Sequence, residues 1–215
     1  MNAQIEPGIY ISEVNNVRHE LKIDDDYFIH SAYSTSPPKF IKTVGGFYTL
    51  GEDILKVDLE FNSNYAENDL KELAMPIVVE DKKLVLPMDG DLEFKKSEPI
   101  EQDLDGAWLF ASRGPEKGQE RRDDENPRKT LKFLQDGRFQ WIACNTDTME
   151  FFGTGGGAFT SENGKYVENI EYFSRDDSRV GASLDFNYEL KDGDWHHTGK
   201  NSKGEPLYEI WARRE

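Results

Sequence analysis

Apolar residues recur at every second position through most of the chain. Leu55, Val57, Leu59 and Phe61 alternate with Lys56, Asp58, Glu60 and Asn62, and Phe139, Trp141 and Ala143 alternate with Gln140, Ile142 and Cys144. A period of two places successive side chains on opposite faces of a strand. Runs of this kind are separated by Asp89-Gly90, Asp136-Gly137, Asn163-Gly164 and Asp192-Gly193, dipeptides that favour two-residue hairpin turns. Helix-forming composition is confined to residues 67–74, which Pro76 stops. The pattern predicts an all-β chain built as barrels or sandwiches, with one short helix.

The pattern also repeats. When positions 25–63 are set against 136–174, a constant offset of 111, eleven of 39 residues are identical; about two or three would match by chance. They are Asp25/Asp136, Phe28/Phe139, Ala32/Ala143, Thr35/Thr146, Phe40/Phe151, Thr43/Thr154, Gly45/Gly156, Gly46/Gly157, Thr49/Thr160, Glu60/Glu171 and Ser63/Ser174. Gly8-Ile9-Tyr10 precedes the first copy as Gly106-Ala107-Trp108 precedes the second. The chain is therefore a duplication, with a first unit over residues 1–100 and a second over 101–215. Each unit, lacking helices to cover a sheet, is expected to close its strands into an antiparallel barrel, which also removes exposed edges. The copies differ most at an insertion, residues 113–127, too polar for a core, which is either a solvated loop or a flap over a barrel mouth.

Composition narrows the function classes. With 26 Lys and Arg against 42 Asp and Glu, the net charge is −16, and both halves are acidic. Such a chain has no electrostatic footprint for nucleic acid or anionic lipid. No apolar run is long enough to insert in a membrane. The lone Cys144 excludes an internal disulfide and a Cys-x-x-Cys metal pair. Asn2-Ala3-Gln4 resembles the tail of a bacterial secretory signal, so the expected location is secreted or periplasmic with the leader removed, a cytoplasmic protein being the alternative.

Gly106-Ala107-Trp108, the strand opened by Asp136-Gly137-Arg138-Phe139, Gly155-Gly156-Gly157-Ala158-Phe159-Thr160 with Asn163-Gly164, and the closing Glu209-Ile210-Trp211-Ala212-Arg213 together resemble the bacterial lipocalin-like domains of the calycin superfamily. The resemblance implies two tandem lipocalin-like barrels. It also implies that Trp108 packs at the closed end of its barrel under a basic residue, Arg213 or Arg214, with Tyr10 and Lys95 or Lys96 in the first copy.

Three groups are candidates for chemistry. Glu171, retained from Glu60 and sharing a strand face with Val167 and Phe173, suits acid–base work or a polar anchor if buried, and otherwise stands on the outside of the barrel, paired or solvated. His196 and His197 point to opposite faces of one strand, so at most one looks inward; without a His pair at i, i+2, a zinc site is disfavoured. Aromatic stripes containing Phe139, Trp141 and Tyr208 fill a core or line a cavity. Gly153 to Gly157 is not a phosphate loop, because a strand follows it, and no motif calls for a cofactor or metal. The leading expectation is that the second barrel binds a small hydrophobic or amphipathic molecule through Phe139, Trp141, Glu171, Tyr172 and Tyr208. The alternatives are a metal-free isomerase, hydratase or cyclase using Glu171 with His196 or His197, and a structural or interaction module.

Overall fold

The computed structural model describes residues 4–80, 82–87, 90–114, 120–201 and 204–214. The residues carrying the export expectation, Asn2 and Ala3, and Asp89 of one hairpin dipeptide lie outside them. Two compact units are formed, Met1–Pro99 with Cys144–Phe151, and Ile100–Ala143 with Phe152–Glu215. Both are antiparallel β structures.

The first unit contains β1 (Gly8–Val14), β2 (Val17–Ile23), β3 (Tyr27–Thr35), β4 (Pro38–Leu50), β5 (Ile54–Asn62), the one-turn helix α1 (Tyr65–Asn68), β6 (Glu72–Pro76), β7 (Val78–Glu80), β8 (Lys83–Leu86) and β9 (Leu92–Lys96). Its nine strands run β6-β5-β4-β3-β2-β1-β9-β8-β7. The second contains β10 (Gly106–Arg113), β11 (Arg128–Gln135), β12 (Arg138–Asn145), β13 (Glu150–Glu162), β14 (Lys165–Phe173), β15 (Ser183–Lys191), β16 (Asp194–Lys200) and β17 (Pro206–Arg213), which close a barrel in sequence order. Asp136-Gly137, Asn163-Gly164 and Asp192-Gly193 all have positive φ at both residues, the conformation that two-residue hairpins require.

The helix expected over residues 67–74 forms only at its start, as α1. From Glu72 the chain is a strand, pairing Leu73 with Val57 and Met75 with Leu55; burial of Leu73 and Met75 against the barrel core outweighs local helix propensity. That pairing keeps the offset of 111, since Glu168 pairs with Leu184 and Tyr166 with Phe186 in the second unit. The duplication therefore runs beyond Ser63 and Ser174. In the second copy β15 is continuous, and Asn187 pairs with both Lys165 and Thr198. Pro76 stands at the equivalent place in the first copy, where a missing N–H and fixed φ split the strand into β6 and β7. That split leaves the first barrel nearly closed.

Retained residues mark shared backbone devices. In both copies the partner strand carries one extra residue opposite a glycine pair, between Gly45/Gly46 and between Gly156/Gly157. The extra residues are Glu60 and Glu171. A Cβ on Gly46 would lie 1.9 Å from the Asp58 carbonyl oxygen, and one on Gly157 2.0 Å from that of Asn169, so only glycine permits the approach. The backbone N–H of Thr43 donates to Ser63 Oγ and that of Thr154 to Ser174 Oγ, each at 2.9 Å.

The surroundings of Tyr10 and Trp108 match as well. Tyr10 Oη donates to the Glu6 carbonyl at 2.7 Å, and Trp108 Nε1 donates to the Leu104 carbonyl at 2.9 Å. Lys96 and Arg213 are the basic residues that cover these rings, at 5.9 and 4.6 Å from the centroids. Gly106 leaves space for the Arg213 guanidinium, which a Cβ would approach to 2.3 Å.

Candidate functional site

The interiors of the two barrels differ in one decisive way. In the first, Leu21, Val57, Leu86 and Leu92 are buried in an apolar core. Their counterparts in the second, fixed by equivalent strand pairings, are Lys132, Glu168, His197 and Glu209. Aromatic rings surround them: Tyr166 from β14, Phe186 from β15, Trp195 from β16 and Trp211 from β17. Charged groups taken from water are costly unless paired. The second copy bears that cost at four positions where the first has aliphatic side chains.

The geometry shows how the charges are held. Lys132 Nζ donates to Glu168 Oε1 at 2.8 Å, and Tyr166 Oη donates to the same oxygen at 2.8 Å. The ammonium lies 4.9 to 5.0 Å from the ring centroids of Trp195, Tyr166 and Trp211, and 6.0 Å from that of Phe186, within cation–π range of all four. Burial, reinforced by the Glu168 carboxylate, raises the Tyr166 phenol well above its ordinary value, so it remains a donor. His197 is 2 % exposed, with its ring 4.3 Å from Phe186 and 5.2 Å from Trp195, centroid to centroid. Burial and then the Lys132 ammonium push its pKa below the usual histidine range, against the pull of Glu209 and Glu168. Burial would raise Glu209, but His197, Lys132 and Arg113 together hold its carboxyl below the ordinary value. The His197 Nδ1 to Glu209 Oε2 distance of 3.5 Å is an electrostatic contact rather than a hydrogen bond. Among the described residues neither His197 nitrogen has a hydrogen-bond partner, nor has the indole N–H of Trp195 or Trp211.

These groups border a cavity of about 260 Å³ whose lining includes Lys132, Trp141, Glu168, His197, Glu209 and Trp211. Leu184, Phe186 and Leu207 add apolar wall. An adjoining pocket of about 420 Å³ shares Thr130, Glu209 and Trp211 with it. Of the insertion read as a flap, residues 115–119 lie outside the described residues; the rest borders that pocket through Arg113, Glu120 and Arg122. The Arg121 guanidinium makes two hydrogen bonds of 2.6 and 2.7 Å to Asp194, and the Arg122 N–H donates to the Ala111 carbonyl at 2.9 Å. In the first barrel a cavity of about 350 Å³ occupies the corresponding place, bordered by His30, Leu73 and Met75 where the second has Trp141, Leu184 and Phe186. His30 stacks there on His19, the two rings 5° from parallel.

The residues singled out from sequence are distributed unevenly about this site. Trp141 lines the cavity, and Phe139 lies in the interior core. His197 faces inward and His196 outward, where its Nδ1 lies 2.9 Å from Tyr208 Oη. Tyr208 is thus on the outer wall, and its neighbours Leu207 and Glu209 line the cavity. Tyr172, past the bulge, is fully buried against Gly156 but outside the cavity lining. Glu171 is not in the pocket. As the bulge residue it points to the outer wall, where Arg138 holds it through two hydrogen bonds of 2.5 and 2.8 Å. Its counterpart Glu60 accepts from Tyr27 at 2.7 Å, and Tyr27 and Arg138 are themselves equivalent by the offset of 111. The retained glutamate is a clasp on the bulge, and the structure does not bring it together with either histidine.

Sequence reasoning missed Lys132, Glu168 and Glu209. Around Lys132 the apolar neighbours Leu131 and Phe133 suggest the opposite facing, and both are buried too. The available signal was the replacement of Leu21 by Lys132 and Val57 by Glu168 between copies. The chain matches no protein-family model and no curated protein sequence.

Proposed function

We propose that the second barrel binds a small, partly apolar molecule in the aromatic cavity above Lys132 and Glu168, in the manner of a lipocalin-like carrier. The observation that carries this reading is the exchange of four core aliphatic residues for Lys132, Glu168, His197 and Glu209 between otherwise equivalent barrels. Their desolvation does nothing for stability that Leu21, Val57, Leu86 and Leu92 do not do better. A ligand with an apolar body and one or two hydrogen-bonding groups would pack on Phe186, Trp141 and Trp211 and engage His197 and the Trp211 N–H. The cavity, at about 260 Å³, suits a compact ring system rather than a long-chain lipid.

All four tryptophans of the chain, Trp108, Trp141, Trp195 and Trp211, lie in the second copy, so intrinsic fluorescence reads this barrel. Titration with a panel of one- and two-ring aromatics, retinoids and fatty acids should give saturable changes in emission with the small aromatics. Leu184→Trp, which fills the cavity, should abolish them with the β-sheet circular dichroism unchanged. A panel in which no compound alters emission or melting temperature would refute the proposal.

A further inference from the structure

The pocket beside the barrel cavity has a chemistry of its own. Arg113 ends β10, Arg122 comes from the insertion and Arg128 begins β11, and all three border the same volume of about 420 Å³. Ser112 and Thr130 add hydroxyls, and Trp211 forms the wall shared with the cavity. Two acids, Glu120 and Glu209, also reach it, leaving three cations against two anions. In a chain of net charge −16, three arginines converging on one concavity run against the overall field.

Arg128 is the most telling of the three. Its guanidinium stacks on the Phe152 ring, with Cζ 3.5 Å from the centroid, and its Nη1 is buried with no hydrogen-bond partner among the described residues. The stacking fixes the plane of a guanidinium that borders the pocket. Arg122 is similarly placed over Phe110, with Cζ 5.3 Å from the ring centroid. Planar guanidinium groups held by rings are suited to two-point recognition of an oxyanion, which lysine cannot match.

We infer that this pocket is an oxyanion subsite, and that the molecule entering the barrel carries a carboxylate or phosphate held by Arg113, Arg122 and Arg128. The inference rests on the ligand-binding reading for the apolar part of the molecule, whereas the arginine pocket can be probed alone. The ligand class is thereby a compact aromatic or branched apolar acid, with its ring toward Trp211 and its anionic end toward the insertion.

Three matched probes, 1-naphthylacetate, 1-naphthyl phosphate and neutral 1-naphthylacetamide, can be titrated against the full chain at constant ionic strength. Wild type should bind at least one anion about tenfold more tightly than the amide, the effect expected of a charge-assisted hydrogen bond. Arg128→Gln and, separately, Arg122→Gln should remove that preference while leaving the affinity for the amide unchanged. Equal affinity for acid, phosphate ester and amide in wild type would overturn the subsite and leave the barrel reading standing. If no naphthyl probe binds, inorganic phosphate decides the matter: a rise in melting temperature in wild type that is lost in Arg128→Gln supports the subsite without the barrel reading, and equal responses of the two proteins overturn it. Arg122→Gln, which alters a partly exposed side chain of the insertion, covers the case in which loss of the Phe152 stack prevents folding.

Discussion

Individual ionisable residues carry the pH behaviour of the second barrel. His197 and Glu209 both titrate below their ordinary values in the folded protein. The unfolded chain then binds protons first as pH falls, so their contribution, complete above the ordinary values, is lost on acidification. His197 acts first, below its ordinary value of 6.5. His197→Phe keeps the packing against Phe186 and Trp195, so its urea midpoint should fall less between pH 7 and pH 5 than that of wild type; parallel losses would disprove the assignment. Asp105 has the opposite sign. Burial, with Asp136 and Glu101 nearby, raises its pKa from 3.8 to about 6, so stability is lost as pH rises through that window. Asp105→Asn should therefore raise the melting temperature at pH 8 and bring no gain at pH 4. An equal shift at both pH values would point to a cause other than the carboxylate.

At the scale of strands, the bulge and the charged interior make separable predictions. Gly157→Ala drives a Cβ into the Asn169 carbonyl and should cost about 2–4 kcal/mol. Gly193→Ala, at φ +85° with nothing near its Cβ, should cost about 1 kcal/mol, and chemical denaturation compares them directly. The double substitution Lys132→Leu with Glu168→Val restores the residues of the first copy. By analogy with buried ion pairs replaced by apolar groups, it should raise stability by about 1–4 kcal/mol, measured in urea, and abolish ligand-induced changes in tryptophan emission. A double variant that binds as wild type would remove the main support for the site. The contrast explains what was legible in sequence. Alternation and turn dipeptides are local, and they located the strands and hairpins; the basic cover on Trp108 came from the resemblance. Facing is not local: Gln140, Ile142 and Cys144 are as buried as Phe139 on the other face of β12, so apolarity no longer tells inside from outside. A bulge at Glu171 then inverts the alternation beyond it, which carries Tyr172 to the outer side and Phe173 inward.

For the whole chain, duplication has produced two barrels with equivalent strand pairings through most of their length and different interiors. The first keeps an apolar core at these positions, and the second has charged side chains among aromatic rings, with three arginines bordering the adjoining pocket. A tandem pair relaxes the constraint on each copy: the bulge and the basic cover on Tyr10 and Trp108 are retained in both, whereas interior positions are free to diverge. If the second copy alone binds the small aromatic ligand, changes in the first should leave binding untouched. His30→Leu replaces the counterpart of Trp141 with an apolar side chain and should hold the affinity for 1-naphthylacetate within about twofold of wild type, a difference of about 0.4 kcal/mol. Glu168→Gln, which leaves Lys132 without its charge partner inside the other barrel, should weaken binding at least tenfold at the same pH, a loss of about 1.4 kcal/mol. Both follow from one fluorescence titration, since every tryptophan belongs to the second copy. A His30→Leu loss as large as that of Glu168→Gln would mean that the two interiors do not divide the work in this way.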